Sequence, residues 1–309
     1  MGENYRTAAR GISRRSLFAS TGLLGLAAAG AAVSAGVNAE PGGEGVRRVL
    51  HAGHISDGPG ATLLGIAPII RAERLHSPAR GRAVNVVTIL PPGVRTEGLP
   101  MSLLLHGLHG NAHEAAVGDL GGVLAAMVAA RLVPAFGFMA IDGGDTYWHE
   151  HHSGDDPMRM LLDDAPRWLT ERGLGGPGGE PFACTGTSTG GFGALLYSRR
   201  RTERGRPAKA IATISPGLIT SWSKALRKRN AFDNADEWAA LDPLRNIDKL
   251  GPSPIALWVG DRDKFVEGGR QFIANARPEV GLVTPGGHTE EYWRTITPDA
   301  VRFLGKYAG

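Results

Sequence analysis

Short β-like runs, rich in apolar residues, recur along the chain between residue 69 and residue 284: Ile69–Leu75, Ala83–Leu90, Met101–His106, Ala135–Ile141, Pro181–Thr185, Ala208–Ile214, Pro254–Val259 and Val280–Thr284. Each has strand length, and the later ones are separated by stretches with a helical period: Glu114–Arg131, Met158–Arg172, Gly191–Arg201, Val266–Ala276 and Glu290–Tyr307. Strands alternating with helices predict an α/β fold, a mostly parallel sheet of about eight strands with helices on both faces. Leu103-Leu104-Leu105 and Phe136 to Ile141 are continuously apolar, as strands buried on both sides must be. Ala83–Leu90, between Gly81 and Pro91-Pro92, instead reads as an early antiparallel strand. Residues 217–250 hold no strand and carry Trp222, Phe232 and Trp238 among charges, which predicts a small helical cap inserted over the carboxyl edge of the sheet. With no internal repeat, residues 40–309 count as one domain, opened by an irregular Gly-rich arm over 40–65.

The first 39 residues have a different pattern. Arg14-Arg15 precede an uncharged, Gly/Ala/Leu-rich stretch from Ser16 to Ala39 that ends in Val37-Asn38-Ala39 before Glu40-Pro41. A basic start, a weakly apolar middle and a small-residue end are the marks of an export signal, and the adjacent arginines point to the twin-arginine type. The alternative is an uncleaved N-terminal membrane anchor, for which the Ala and Gly content is poorly suited. Removing this leader, with four Arg and one acid, leaves 30 basic and 29 acidic residues, a formal net charge of +1. A near-neutral body has no electrostatic footprint for nucleic acid. The single cysteine, Cys184, excludes an intramolecular disulfide framework, a Cys-based zinc site and an iron–sulfur cluster.

The chemistry concentrates at Gly186-Thr187-Ser188-Thr189-Gly190, set between a strand and a helix. In that context G-x-S-x-G forces a sharp turn that pushes the serine hydroxyl out above the sheet. A neutral hydroxyl is a poor nucleophile, so a base and a group to orient it are required. In the chain order Ser, acid, His, only His288 of the ten histidines follows Ser188; it lies in the flexible-looking loop Pro285-Gly286-Gly287-His288-Thr289, from which it is expected to swing to the serine. Asp261 and Asp263, in the loop after Ile255–Val259, compete as the acid; analogy with hydrolases that place it three residues past a strand-ending glycine favours Asp263. Backbone N–H groups for an oxyanion are expected from Thr189 and from His106-Gly107-Leu108-His109-Gly110, with Leu108 first and Gly107 second.

Taken together, these residues resemble the esterase D/antigen 85 branch of the α/β-hydrolases. His76-Ser77-Pro78, Gly81-Arg82 and Leu90-Pro91-Pro92-Gly93 resemble the opening of that family, Leu105-His106-Gly107-Leu108 its oxyanion loop, and Gly186 to Leu195 its elbow. The resemblance spans roughly residues 70–305 and implies an α/β-hydrolase fold and a serine esterase. Thr189 stands where the family usually has Met, and Gly190-Gly191 is closer to hydrolytic esterases than to mycolyltransferases. The expected function is an exported carboxylesterase that forms a covalent acyl-enzyme on a small-molecule, lipid or carbohydrate ester. Its rivals are a cell-envelope acyltransferase and a catalytically silent secreted binding protein. Cell-envelope association is an accompanying expectation, and no sequence feature sets an oligomeric state.

The scheme calls for no cofactor and no metal. Trp148-His149-Glu150-His151-His152 is the one tempting run, but it is not H-E-x-x-H and presents no two imidazoles on one helix face. Because this loop follows a parallel strand, Asp145, Tyr147, Trp148 and His149 are expected at the substrate pocket. Cys184, on a buried strand, reads as a core residue rather than a thiol nucleophile.

Overall fold

The structure is a computed structural model that describes residues 66–225 and 231–309. The leader over 1–39, its cleavage site, the arm over 40–65 and the basic residues Arg227, Lys228 and Arg229 lie outside the described residues. Among the described residues no helix is long and apolar enough to cross a membrane.

Eight strands form one sheet: β1 (Ile69–Ser77), β2 (Arg82–Leu90), β3 (Met101–Leu105), β4 (Gly137–Ile141), β5 (Ala183–Thr187), β6 (Ala210–Ile214), β7 (Ile255–Gly260) and β8 (Val280–Thr284), in the order β1-β2-β4-β3-β5-β6-β7-β8. β2 runs antiparallel to both β1 and β4, and the remaining pairings are parallel. β3 to β7 are buried at every position; β4 and β7 are accordingly apolar throughout, while the buried hydroxyls of Ser102, Thr185 and Thr213 in β3, β5 and β6 bond to backbone carbonyls.

The helices are α1 (Leu120–Ala129), α2 (Pro157–Arg159), α3 (Ala165–Glu171), α4 (Thr189–Glu203), α5 (Trp222–Ala225), α6 (Ala235–Leu241), α7 (Val266–Ala276) and α8 (Glu290–Gly305). α1 and α8 share one core with the first face of the sheet, and α3, α4 and α7 share the other. Two expected helices start or run differently. The stretch from Glu114 enters α1 only at Leu120, because Gly118 and Asp119 take left-handed backbone (φ 63° and 59°) and break the turn before it. Between α2 and α3 the helix widens to a π-turn over Met160–Asp164, just ahead of Pro166, which has no N–H to give an i−4 carbonyl.

The described parts of 217–250 carry α5 and α6 and no strand. They run beside α4: Phe232 packs on Phe192, Arg199 donates to the Ala240 carbonyl, and the Leu250 carbonyl accepts from Ser198. Asp242, where α6 ends, is 1 % exposed; burial raises its carboxyl to about 6, against the Leu244 N–H and Arg245, which pull the other way. An acid held above its unfolded value loses native stability as pH rises from about 4 to 6. Asp242→Asn keeps the acceptor for Leu244 and should therefore raise stability at pH 7 by about 2 kcal/mol, with no gain at pH 4. Urea unfolding of both proteins at the two pH values checks this.

Candidate functional site

The chain leaves β3 for β4 on one side and later returns to place β5 on the other, so the carboxyl ends of β3 and β5 flank the point where strand order reverses. A crevice opens at such a point in an open parallel sheet. Gly186 ends the pairing of β5 with β3, opposite Leu105, and Ser188 follows at φ 57°, ψ −122°, backbone that costs a non-glycine residue about 1–3 kcal/mol. Four backbone bonds lock it there: its N–H donates to Ile214, and its carbonyl accepts from Gly191, Phe192 and Gly217. The turn is too tight for side chains beside it. A Cβ on Gly186 would stand 2.3 Å from the Gly190 carbonyl oxygen, and one on Gly190 2.1 Å from that of Leu105. Ser188 thus caps α4, which begins two residues earlier than the sequence pattern suggests.

His288 follows β8 and directly precedes Thr289, the N-cap of α8. Its Nε2 lies 3.0 Å from Ser188 Oγ, and its Nδ1 lies 2.9 and 3.1 Å from the two carboxylate oxygens of Asp263. An ionised carboxylate only accepts, so Nδ1 carries the proton and Nε2 turns its lone pair to the serine. The Asp263 side chain is fully buried. Burial alone would raise its carboxyl, but bonds from His288, the Phe265 N–H and the Ser215 hydroxyl outweigh it and hold the group below the ordinary carboxylate range. Asp261, the competing acid, is turned away: it accepts from the Gly286 N–H at 3.0 Å and braces the histidine loop. The Arg262 N–H donates to the Gly286 carbonyl at 2.8 Å. The loop is therefore bound on both sides, and the imidazole sits in place without the swing expected of it.

Three residues that sequence reasoning missed complete this arrangement. Phe265 and Trp293 meet the His288 ring edge-on at centroid distances of 5.3 and 5.2 Å. Trp293 Nε1 also donates to Ser215 Oγ at 3.1 Å, and Ser215 in turn bonds Asp263. The available signal was Ser215-Pro216-Gly217, a turn at the end of a buried strand, where Ser215 takes φ 49°.

The loop after β3 faces Ser188 from the other side. A Cβ on Gly107 would lie 3.3 Å from that of Ser188. His106 fastens the loop: Nδ1–H donates to the Gly107 carbonyl and Nε2 accepts from the Gly143 N–H. Burial lowers its pKa against the Gly107 bond, which keeps the ring neutral. The Gly110 N–H donates to Gly107, and Asp145 accepts from both the N–H and Nδ1 of His109. The N–H groups of Leu108 and Thr189 donate to no described residue.

Tyr147, Trp148 and His149 depart from the expectation that they line the substrate pocket. They are 1 %, 1 % and 4 % exposed. Tyr147 and Trp148 have φ of 54° and 65°, a turn that folds both rings inward. Tyr147 packs on Phe192 and Phe232, and Trp148 lies against His106 and donates to its carbonyl. His149 stacks on Phe232 and bonds the Ala231 carbonyl. Trp148 thus backs the loop after β3 through His106, and Asp145 holds the exposed side of that loop. A groove of about 410 Å³ lies elsewhere, walled by Leu218, Ile219, Phe265, Lys224, Lys264 and Glu267, and its Phe265 also touches the His288 ring. Lys224 and Glu267 pair across its rim at 2.6 Å. Cys184 is fully buried, and burial raises its thiol well above the ordinary range, as suits a core residue.

No family model matches the sequence, and no curated protein matches it. Solved structures do. A ferulic acid esterase superposes with a TM-score of 0.59 at 18 % identity, over 79 % of this chain and all of that one. An S-formylglutathione hydrolase from Agrobacterium tumefaciens gives 0.63 at 14 %, over 79 % and 97 % of the two chains. An α/β hydrolase from the metagenome of Lake Arreo, Spain, gives 0.57 at 15 %, over 80 % and 85 %. Likeness at such identity speaks to architecture, and with the sheet order and the strand–turn–helix at Ser188 it leads to one conclusion: this chain has the α/β-hydrolase fold.

Proposed function

We propose that the protein is an exported serine carboxylesterase. The observation that carries this reading is the unbroken hydrogen-bonded series Ser188–His288–Asp263 at the point where strand order reverses, with undonated N–H groups of Leu108 and Thr189 beside the serine. Ser188 Oγ attacks the ester carbonyl as His288 Nε2 takes its proton, and Asp263 stabilises the imidazolium that forms. The Leu108 and Thr189 N–H groups receive the oxyanion. The tetrahedral intermediate collapses with transfer of the proton to the departing alcohol, leaving an acyl-serine. Water, deprotonated by His288, then attacks the acyl carbonyl and returns the free acid and Ser188.

The groove of about 410 Å³ that reaches His288 through Phe265 receives the acyl portion along its Leu218, Ile219 and Phe265 wall, with Lys224, Lys264 and Glu267 forming its charged side. The esters hydrolysed by the structural neighbours support the reaction class. Export rests on the twin-arginine leader over 1–39. The test is a panel of p-nitrophenyl esters of increasing acyl length, with and without an acceptor alcohol. Hydrolysis that rises with chain length and then falls, with the free acid as the main product, is expected. Acyl transfer to the alcohol as the main product would favour an acyltransferase, and no turnover of any ester would overturn the reading.

A further inference from the structure

We infer that the protein binds one divalent transition-metal ion, Zn²⁺ by its donor set, between His151, Asp233 and Glu237, in a site that shares no residue with the triad. His151 comes from the loop after β4, whereas Asp233 and Glu237 flank the start of α6. One ligand atom from each, the imidazole nitrogen and two carboxylate oxygens, lie within 4.8 Å of one another.

The histidine is the observation that asks for an ion. Its side chain is 7 % exposed, and Nδ1 is buried with no hydrogen-bond partner, pointing at Asp233 Oδ1 from 3.6 Å. A buried polar nitrogen left unmade is uncommon and costly, and needs a physical reason. The neighbouring His149 shows the contrast, since both of its ring nitrogens are bonded to carbonyls, those of Glu150 and Ala231. The carboxylates repeat the signal. Among the described residues no Lys or Arg pairs with Asp233 or Glu237; their charged-type neighbours are His151 at 3.6 Å and His149 at 3.9 Å. Two carbonyl acceptors require both His149 nitrogens to donate, so that ring carries one positive charge beside Glu237; the carboxylate of Asp233 and the buried, unbonded nitrogen of His151 are left facing each other without a cation among the described residues.

The donors also select the ion. One imidazole and two carboxylates fit Zn²⁺, with bonds of about 2.0–2.2 Å and a fourth position for water, whereas Ca²⁺ asks for six to eight oxygens. Atoms up to 4.8 Å apart reach those distances with side-chain rotations of under about 1 Å. The Asp233 N–H already donates to Glu237 Oε2 and orients that carboxylate, as outer contacts do for metal ligands. The run His149 to His152 hid this, because it supplies only one ligand and the other two come from a later segment. An ion here would fasten the entry of α6 to the loop after β4, a structural rather than a chemical duty.

The experiment is titration of the EDTA-treated, tag-free protein with ZnCl₂ by calorimetry, alongside thermal unfolding. One equivalent should bind, and a hundredfold excess over Kd should raise Tm by about 5 °C. Glu237→Gln and the exposed-site variant Asp233→Asn should each weaken binding by about 100-fold while leaving the metal-free Tm within about 2 °C. Ser188→Ala should bind Zn²⁺ like the unaltered protein, so failure of the esterase reading and failure of this one are told apart. Absence of binding at 100-fold molar excess, binding unchanged in both carboxylate variants, or Ca²⁺ binding as tight as Zn²⁺ would each overturn the assignment.

Discussion

Ser188→Ala is expected to lower kcat toward the preferred ester by about a millionfold while leaving KM within about threefold and the fold intact. Only one oxygen is removed, and the turn holding residue 188 is made of backbone bonds that alanine keeps. The loss is large because the remaining groups act as a unit: without a hydroxyl to deprotonate, His288 and Asp263 have nothing to work on, and only the N–H pair still favours attack by water. A fluorophosphonate probe reads the same atom directly, labelling the native protein at Ser188 and leaving the alanine variant unlabelled. Turnover within tenfold of native in the variant, or a label on another residue, would remove Ser188 from the reaction.

Asp263→Asn should cost about 10⁴ in kcat, and Asp261→Asn less than about tenfold. The two side chains stand two residues apart and differ in what they hold. An amide at 263 would offer an NH₂ to Nδ1, favouring the tautomer that points an N–H instead of a lone pair at Ser188. At 261 the amide oxygen still accepts from Gly286. The contrast separates an electrostatic role from a bracing one, and equal losses would reject the assignment. A stability signature accompanies it. Asp263 titrates below its unfolded value, so its ionised form stabilises the native state above the ordinary carboxylate range, and that contribution disappears as pH falls through the lower folded value. The difference in urea midpoint between native protein and Asp263→Asn should therefore shrink toward acid pH.

Much of this was legible in the chain. The runs that became β4 and β7 are apolar on both faces, and those that became β3, β5 and β6 are interrupted only by small hydroxyl residues, so one-dimensional pattern suffices to find them. The elbow carries its own glycines, and chain order singles out His288. What stayed hidden depends on contacts no local pattern encodes. Tyr147 and Trp148 follow a strand that ends at the crevice, yet left-handed backbone turns their rings into the core. Ser215 and Trp293 matter through each other, across 78 positions of sequence. The helical pattern from Glu114 begins as helix only at Leu120, because Asp119 adopts a left-handed conformation that propensity does not favour.

The imidazole stands one position ahead of a helix cap, and that helix buries Tyr292, Ile296, Ala300 and Leu304 against the sheet. Its address is thus inherited from the core, and the orientational entropy of bringing base to hydroxyl is lost when the chain folds, not anew at each encounter with an ester. A catalyst so arranged has no closing motion to wait for at this histidine, and its pace should follow the chemistry and the departure of products.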